Sequence, residues 1–343
     1  MMDHKMSHLD RPILITGATG FIGSYILRKL LSSGYGQVSA IHRSSSPFDL
    51  IPEDVKHAVT WHCCDLSNTE KLREVVTGAE IIIHCAALVS FWPRQFDLME
   101  QINYQATKNL VRIAEEEGVS RFIHFSSVEA LGHGDSLNKE DSFYDEATAM
   151  SQYSITKHKA DLAIKKSSLD YTIYHPGFVL GGGYWDRAPL NFITKIYEGM
   201  RFYPSGSIGI VDVRDIADIL VQNLENSLMY REAYILVSDN IRHERYFREI
   251  VLKLHLKGGF KKLGEPLISV AIWAESIKAK FTKVAPLITR ETYKISSKAL
   301  KYDNHKILST TGYKFRTAEE SIEDLCSCFM ATITSKKYGI LEI

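Results

Sequence analysis

Three residues of this 343-residue chain have types and spacing suited to proton transfer at a carbonyl group. Tyr153 and Lys157 are four residues apart within a helical pattern, so their side chains share one face. A lysine held there would lower the pKa of the phenol, and Tyr153 would exchange a proton with a carbonyl oxygen. Ser127 ends the preceding apolar run, where its hydroxyl could hold the same oxygen. Each residue alone is weak evidence, but their order along the chain favours a catalytic set.

A glycine-rich segment near the start of the chain predicts a phosphate site. A short apolar run is followed by three evenly spaced glycines and then by apolar residues at helical intervals. Gly17 would allow a tight turn, Gly20 a close approach of the backbone to a pyrophosphate, and Gly23 close packing of helix against strand. Free N–H groups at the start of the helix would bind the phosphates. Strand, glycine turn and helix together predict a dinucleotide-binding site, in which Lys157 would also hold a ribose hydroxyl.

The end of the second predicted strand bears on which dinucleotide is bound. An acidic residue about twenty residues past the glycines normally binds the ribose 2′-hydroxyl of NAD. Here residues 40–46 read AIHRSSS, and the first carboxylate after the second strand is that of Asp49. The planar guanidinium of Arg43 suits a 2′-phosphate instead, so we favour NADP and keep NAD as the alternative. Asp65, after the third strand, would accept a hydrogen bond from the adenine amino group, cap a helix, or do both.

Strands and helices alternate at short spacing through the first half of the chain. Apolar runs predict strands at 13–15, 38–42, 59–64, 80–86, 119–126 and 170–175, and helical patterns cover 96–117 and 146–168. This alternation predicts the α/β class, with a doubly wound parallel sheet of the Rossmann type. We expect a dinucleotide-binding Rossmann domain at 11–175. Residues 176–343 would form a small, mixed C-terminal substrate lobe, interleaved with the last strands of the sheet.

Composition excludes several other classes of function. Lys and Arg together number 41, as do Asp and Glu, so no basic excess points to a nucleic-acid partner. The five cysteines have no metal-ligand spacing, and those at 63, 64 and 85 lie in strand-like runs that predict buried, reduced thiols. The first ten residues are polar, and the longest apolar stretch, at 267–274, is too short to span a bilayer. We therefore expect a cytoplasmic protein without a membrane span or a metal site.

Two features of the second half allow more than one interpretation. Residues 267–281 could form an amphipathic helix, for which we favour packing in the core or at a dimer interface over contact with a membrane. Paired aromatics such as Tyr184-Trp185 either line an apolar substrate pocket or fill the core of the lobe.

Seven segments in order carry a resemblance to a known family. They are TGATGFIG at 16–23, DL at 65–66, HCAA at 84–87, NYQATKN at 103–109, FSSVEALG at 125–132, YSITK at 153–157 and HPGFVLG at 175–181. Together they resemble the extended short-chain dehydrogenase/reductases, the group of NAD-dependent epimerase/dehydratases and dihydroflavonol-4-reductase-like enzymes. The resemblance covers about residues 11–220.

The resemblance implies roles for particular residues. Ser127, Tyr153 and Lys157 would be catalytic, with Tyr153 as the general acid/base, whereas we assign Asn103 to structure. The implied cofactor-binding residues are Gly17, Thr19, Gly20, Phe21, Ile22, Gly23, Arg43, Asp65, Leu66, Ala86, Ala87, Ser126, Tyr153, Lys157, Pro176 and Val179. By analogy with the family, the partners would be a small-molecule substrate and a second copy of the chain, paired through the helices at about 96–117 and 146–168.

Two departures from the family pattern narrow the activity. Sugar-nucleotide enzymes commonly carry Asp-Asn where this chain has His42-Arg43, and the dehydratases place an Asp-Glu pair where Ser127 is followed by Val128 and Glu129. We therefore expect a carbonyl reductase that uses NADPH. A nucleotide-sugar epimerase or dehydratase with tightly bound NAD is the nearest alternative, and a non-catalytic NADP sensor is another.

Overall fold

The computed structural model describes residues 8–132, 134, 137–262, 264–283, 285–335 and 337–343. The strands are β1 (Ile13–Thr16), β2 (Val38–His42), β3 (Thr60–Cys63), β4 (Ile81–His84), β5 (Arg121–Phe125), β6 (Leu137–Asn138), β7 (Asp170–Pro176), β8 (Phe178–Leu180), β9 (Phe202–Tyr203), β10 (Ser207–Asp212), β11 (Glu232–Leu236), β12 (Asp239–Arg242), β13 (Lys261–Lys262) and β14 (Lys301–Tyr302). The α-helices are α1 (Phe21–Ser32), α2 (Glu53–His57), α3 (Thr69–Val76), α4 (Phe96–Met99), α5 (Ala106–Glu116), α6 (Gln152–Lys165), α7 (Asn191–Tyr197), α8 (Val213–Gln222), α9 (His243–Lys253), α10 (Glu265–Thr282), α11 (Arg290–Ser296), α12 (His305–Thr311) and α13 (Ala318–Ser335).

The main sheet is parallel throughout, with the strand order β11-β7-β5-β4-β1-β2-β3. Its central strands β1, β4 and β5 are buried along their whole length because helices cover both faces. Ile13 and Ile15 pack with residues of α1 and α8, whereas the intervening Leu14 packs with residues of α3, α5 and α6 on the other face. This confirms the predicted α/β class and doubly wound sheet.

The order of strands places a crevice beside β1. The chain runs from β1 to β2 on one side and later returns to β4 on the other side, so the direction of winding reverses between β1 and β4. Ligands of doubly wound sheets bind at such a switch point, outside the carboxyl ends of the strands. The glycine turn after β1 lies at this edge.

A second, smaller sheet follows residue 176. Strand β10 pairs in parallel with β8 and antiparallel with β12, and β11 returns to the edge of the main sheet beside β7. Residues beyond 176 therefore contribute to both sheets. The division into domains at 11–175 and 176–343 stays a prediction.

One expectation about the cysteines is wrong. Cys63 is exposed and Cys85 is half-buried, whereas Cys64 is buried as expected. Cys63 ends β3, which is the outermost strand of the main sheet and is exposed at both of its ends. The apolar run indicated a strand correctly but not its place at the edge.

Helix α10 also differs in part from the sequence-based expectation. It buries Ile268 and Ala279, but the side chains of Val270, Trp273 and Phe281 are 62%, 66% and 83% exposed. This face is therefore not part of the core, because the helix buries a narrow side only. Among the described residues, no helix combines the length and the apolar character that crossing a bilayer requires.

Candidate active site

The glycine turn between β1 and α1 forms a cradle with no room for side chains. The N–H of Gly20 donates to the carbonyl of Gly17 at 2.9 Å, and Gly17 has a φ of +70°, a conformation that favours glycine. A Cβ on Gly17 would lie 2.6 Å from the backbone nitrogen of Ala86, and one on Gly23 would lie 2.2 Å from the oxygen of Gly17. The two glycines let the turn, α1 and the end of β4 approach closely.

The start of α1 suits an anion. Gly20 is the N-cap residue and makes no side-chain cap bond, and the first turn of the helix contains no acidic residue. The first N–H groups of a helix have no partner within it and carry a partial positive charge. The cradle therefore fits the pyrophosphate of a dinucleotide. Thr19 is buried in this turn, Phe21 and Ile22 are half-buried, and the carbonyl of Thr19 accepts a hydrogen bond from Tyr184 at 3.3 Å.

Arg43 and Asp65 lie at the same edge of the sheet. Arg43 is exposed just beyond β2, and its backbone N–H donates to Ser46 Oγ at 2.9 Å. Asp65, beyond the neighbouring β3, accepts from the N–H and the hydroxyl of Ser67 at 2.9 and 2.6 Å. These hydrogen bonds and the positive charge of Arg43 lower the pKa of Asp65. The cap of α3 is Asn68, so Asp65 closes the turn without capping that helix.

The three candidate catalytic residues lie together at the carboxyl end of β5. Helix α6 starts at Gln152, with Ser151 as its cap, and carries Tyr153 and Lys157 one turn apart. Tyr153 is only 7% exposed and its phenol faces the side chain of Ser127, whose hydroxyl accepts from the N–H of Glu129 at 3.2 Å. Burial raises the pKa of the Tyr153 phenol, and the interaction with Ser127 offsets part of that rise. The phenol is therefore protonated at neutral pH.

Lys157 is buried with its ammonium group against the end of β5. Its Nζ donates to the carbonyl of Phe125 at 2.7 Å and lies 3.2 Å from Nε2 of His124. Burial lowers the pKa of Lys157 to about 8, and the negative charge of Asp161 opposes that decrease. Lys157 is therefore mostly charged at neutral pH, although it is almost completely buried from solvent.

The structure separates the two serines that follow β5. Ser127 faces Tyr153, whereas the hydroxyl of Ser126 turns inward and donates to Asp161 Oδ2 at 2.9 Å. Any contact of Ser126 with a cofactor would have to come from its main chain. The same holds for Val179, whose side chain packs in the core beneath the sheet.

The remaining predicted residues line the crevice or support it. Ala86 follows β4 and lies against Gly17, and its N–H points to Thr16 Oγ1 at 3.4 Å. Ala87 is exposed after β4, Leu66 is half-buried after β3, and Pro176 is buried at the end of β7. Asn103 is buried, where its amide bonds both main-chain groups of Leu88 and the hydroxyl of Thr156. These bonds agree with a structural role for Asn103.

Sequence reasoning missed a buried polar network behind Lys157. His124 Nε2 lies 3.7 Å from Asp161 Oδ1, and His175 Nε2 donates to Asp161 Oδ2 at 2.9 Å. His84 stacks on His124 and bonds the hydroxyls of Thr16 and Thr107. Burial lowers the pKa of His84 to about 3 and that of His124 well below its usual value, so both rings are neutral.

In this network the Asp161 side chain lies close to the Lys157 ammonium, and its negative charge favours the charged lysine. A faint signal was present in the sequence, because Asp161 follows Lys157 by four residues and so shares its helix face. His124 and His175 lie on β5 and β7, which are neighbours in the sheet but far apart in the chain. Within the described part of the chain, no three His, Cys, Asp or Glu side chains are arranged to hold a metal ion.

Two further side chains act on Tyr153. The ring of Phe91 contacts that of Tyr153 edge to face, with centroids 6.1 Å apart. Burial raises the pKa of the Glu129 carboxyl to about 7, and its negative charge acts on Tyr153. An aromatic ring thus packs beside the phenol, and a buried ionisable carboxyl group acts on it through its charge.

Comparisons with known proteins agree with this arrangement. The sequence profile of the NAD dependent epimerase/dehydratase family matches residues 13–233. A putative dihydroflavonol 4-reductase of Synechocystis is 26% identical over 92% of this chain and 93% of its own length. The UDP-glucose 4-epimerase of Vibrio cholerae is 24% identical over 96% and 97%. The crystal structure of gox2253 superposes with a TM-score of 0.80 at 27% identity, covering 94% of this chain and 98% of that one.

Proposed function

Because this chain belongs to the NAD dependent epimerase/dehydratase family, within the extended short-chain dehydrogenase/reductases, we propose a specific activity for it. It is an NADP-dependent oxidoreductase that reduces a carbonyl group of a small organic substrate, or oxidises the corresponding alcohol. The observation that carries the proposal is the meeting of Ser127 and Tyr153 at the carboxyl end of β5, with the buried Lys157 one helical turn away.

Each of the three residues has a task set by its surroundings. The bound nicotinamide would supply or accept the hydride. The phenol of Tyr153 is protonated, so it can donate its proton to the alkoxide that develops on the substrate. Ser127 would donate a hydrogen bond to the same oxygen. The Lys157 ammonium stabilises the phenolate that Tyr153 becomes, because opposite charges in a poorly solvated site attract strongly.

The proposed preference for NADP depends on Arg43. Its guanidinium is exposed at the end of β2, where an NAD-binding chain of this fold places a carboxylate. The positive charge of Arg43 lowers the pKa of Asp65, which lies at the same edge of the sheet. A 2′-phosphate would give the Arg43 guanidinium charge-assisted hydrogen bonds.

The test is a Tyr153→Phe variant assayed for NADPH oxidation against a panel of ketones and aldehydes. We expect NADPH affinity to stay within about twofold and turnover to fall by about a hundredfold or more, the usual contribution of a positioned general acid. Tyr197→Phe, which alters a half-exposed tyrosine on α7, serves as the control and should keep full turnover. Unchanged turnover in Tyr153→Phe would refute the assigned role.

A second candidate is a nucleotide-sugar epimerase that holds NAD permanently. The observation that favours it is the similarity to the Vibrio cholerae UDP-glucose 4-epimerase, which extends over nearly the whole length of both chains. Such an enzyme would retain NAD through purification and would need no added NADPH. Identifying the nucleotide that heat releases from the purified protein distinguishes the two candidates.

A further inference from the structure

The segment at 257–283 is strongly basic in a chain whose net charge is zero. It contains six lysines and two glutamates, whereas the whole chain has equal numbers of basic and acidic residues. The lysines at 257, 261, 262, 278, 280 and 283 are all exposed. Helix α10 occupies most of this segment.

Large apolar side chains lie on the solvent side of the same helix. Val270, Trp273 and Phe281 are spaced by three and eight residues, which places them along one stripe. Ala274 is exposed and Ile277 is half-buried within this stripe. We call these five residues the α10 stripe. An exposed tryptophan and phenylalanine on one helix face form an apolar patch of the kind that marks an interaction site.

The acidic group in the middle of α10 is turned away from solvent. The Oε2 of Glu275 accepts from the backbone N–H of Leu287 at 2.8 Å, and its Oε1 lies 3.6 Å from the ammonium of Lys278. Glu275 is only 24% exposed, whereas Lys278 is 65% exposed. The described solvent face of α10 therefore combines apolar side chains with positive charge.

We propose that α10 docks on an anionic membrane surface. Trp273 and Phe281 would enter the boundary between headgroups and acyl chains, and the flanking lysines would meet lipid phosphates. A helix with aromatic residues on one face and lysines beside them is suited to lie in that interface without crossing the bilayer. Charge complementarity favours lipid over a second copy, because two such faces would bring like charges together.

Contacts connect this helix to the candidate active site. Leu287, which bonds Glu275, precedes α11, and Glu291 of α11 accepts from the N–H of Gln152 at 3.1 Å. Gln152 is the first residue of α6 and precedes Tyr153. Docking through α10 would therefore place the catalytic helix close to the bilayer. The docking proposal itself does not depend on the proposed enzymatic function.

The test is co-sedimentation of the full chain with vesicles of phosphatidylcholine, alone or mixed equally with phosphatidylglycerol. We expect binding to the mixed vesicles that weakens as salt is added, and little binding to phosphatidylcholine alone. A Trp273→Ser/Phe281→Ser double variant should bind at least about tenfold more weakly, because it lacks both rings that would insert into the membrane. Phe143→Ser removes an aromatic ring that is 86% exposed outside α10 and should bind like the wild type.

A charge variant and a measurement of the oligomeric state complete the test. Replacing Lys278 and Lys280 with Gln should weaken binding by about fivefold for each lysine at low salt. Circular dichroism establishes that each variant is folded. Equal binding by the wild type and the double variant would overturn the proposal. The proposal would also be overturned if the wild type bound neither kind of vesicle and formed a dimer that the double variant does not form. The α10 stripe would then be a subunit interface.

Discussion

Removing the charge of Asp161 is expected to shift the pH range in which Lys157 is charged. In Asp161→Asn the side chain keeps its size and can still accept from Ser126 and His175, which donate to the carboxylate in the wild type. The negative charge that favours the Lys157 ammonium disappears. The neutral His124 between them cannot replace it.

The distances in the network set the size of this effect. Nε2 of His124 lies 3.2 Å from Lys157 Nζ and 3.7 Å from Asp161 Oδ1, so the two charges are at most about 7 Å apart. At an effective dielectric constant of about 20, their attraction is worth about 2 kcal/mol, or one to two pKa units. The pKa of Lys157, about 8 in the wild type, should fall to between about 6 and 7.

This shift has a definite sign in a pH profile. A lysine loses its charge as the pH rises through its pKa, so the alkaline decline of turnover should begin at lower pH in Asp161→Asn. Near pH 7.5, the charged fraction of Lys157 should fall from about three quarters to about one tenth. The assay is kcat with NADPH across the pH range, together with a melting temperature for each variant.

A control separates charge from hydrogen bonding. Ser126→Ala removes a hydrogen bond to Asp161 but keeps its charge, so its alkaline limb should coincide with that of the wild type. Should Asp161→Asn decline at the same pH as the wild type while remaining folded, Asp161 does not control the charge of Lys157.

Two further predictions concern the cofactor. Arg43→Ala should weaken NADPH binding by about tenfold or more and leave NADH binding nearly unchanged, because a charge-assisted hydrogen bond contributes about 1.5–3 kcal/mol; fluorescence titration measures both affinities, and equal losses for the two would contradict the role of Arg43. Gly23→Ala should lose NADPH binding and about 1–3 kcal/mol of stability, since its Cβ would lie 2.2 Å from the oxygen of Gly17. Urea unfolding measures the loss, and Gly36→Ala, where a Cβ would meet nothing within 4 Å, is the control that should remain stable.

Features that depend on neighbouring residues in the chain could be predicted from the sequence. The glycine turn, the alternating strands and the shared face of Tyr153 and Lys157 follow from local spacing and hydrophobic periodicity. The order of these elements was enough to indicate a doubly wound sheet, because parallel strands need helical crossovers.

Features that depend on which elements meet in space could not be predicted. The network of Asp161, His124 and His175 exists because β7 pairs with β5 after a long excursion of the chain. The sequence indicated Ser127 as the partner of the phenol, but not that Ser126 turns inward to Asp161, since that depends on how β5 ends. Periodicity likewise identified an apolar face on α10 but could not show that it would stay exposed.

The central claim is that this chain uses NADPH in a reduction, and a nucleotide-binding experiment tests it most directly. The purified protein is heated to release any bound nucleotide for identification, and fresh protein is titrated with NADPH and NADH. We expect a site that fills on titration and binds NADPH more tightly than NADH. Stoichiometric NAD carried through purification would contradict both the assigned role of Arg43 and the proposed reduction.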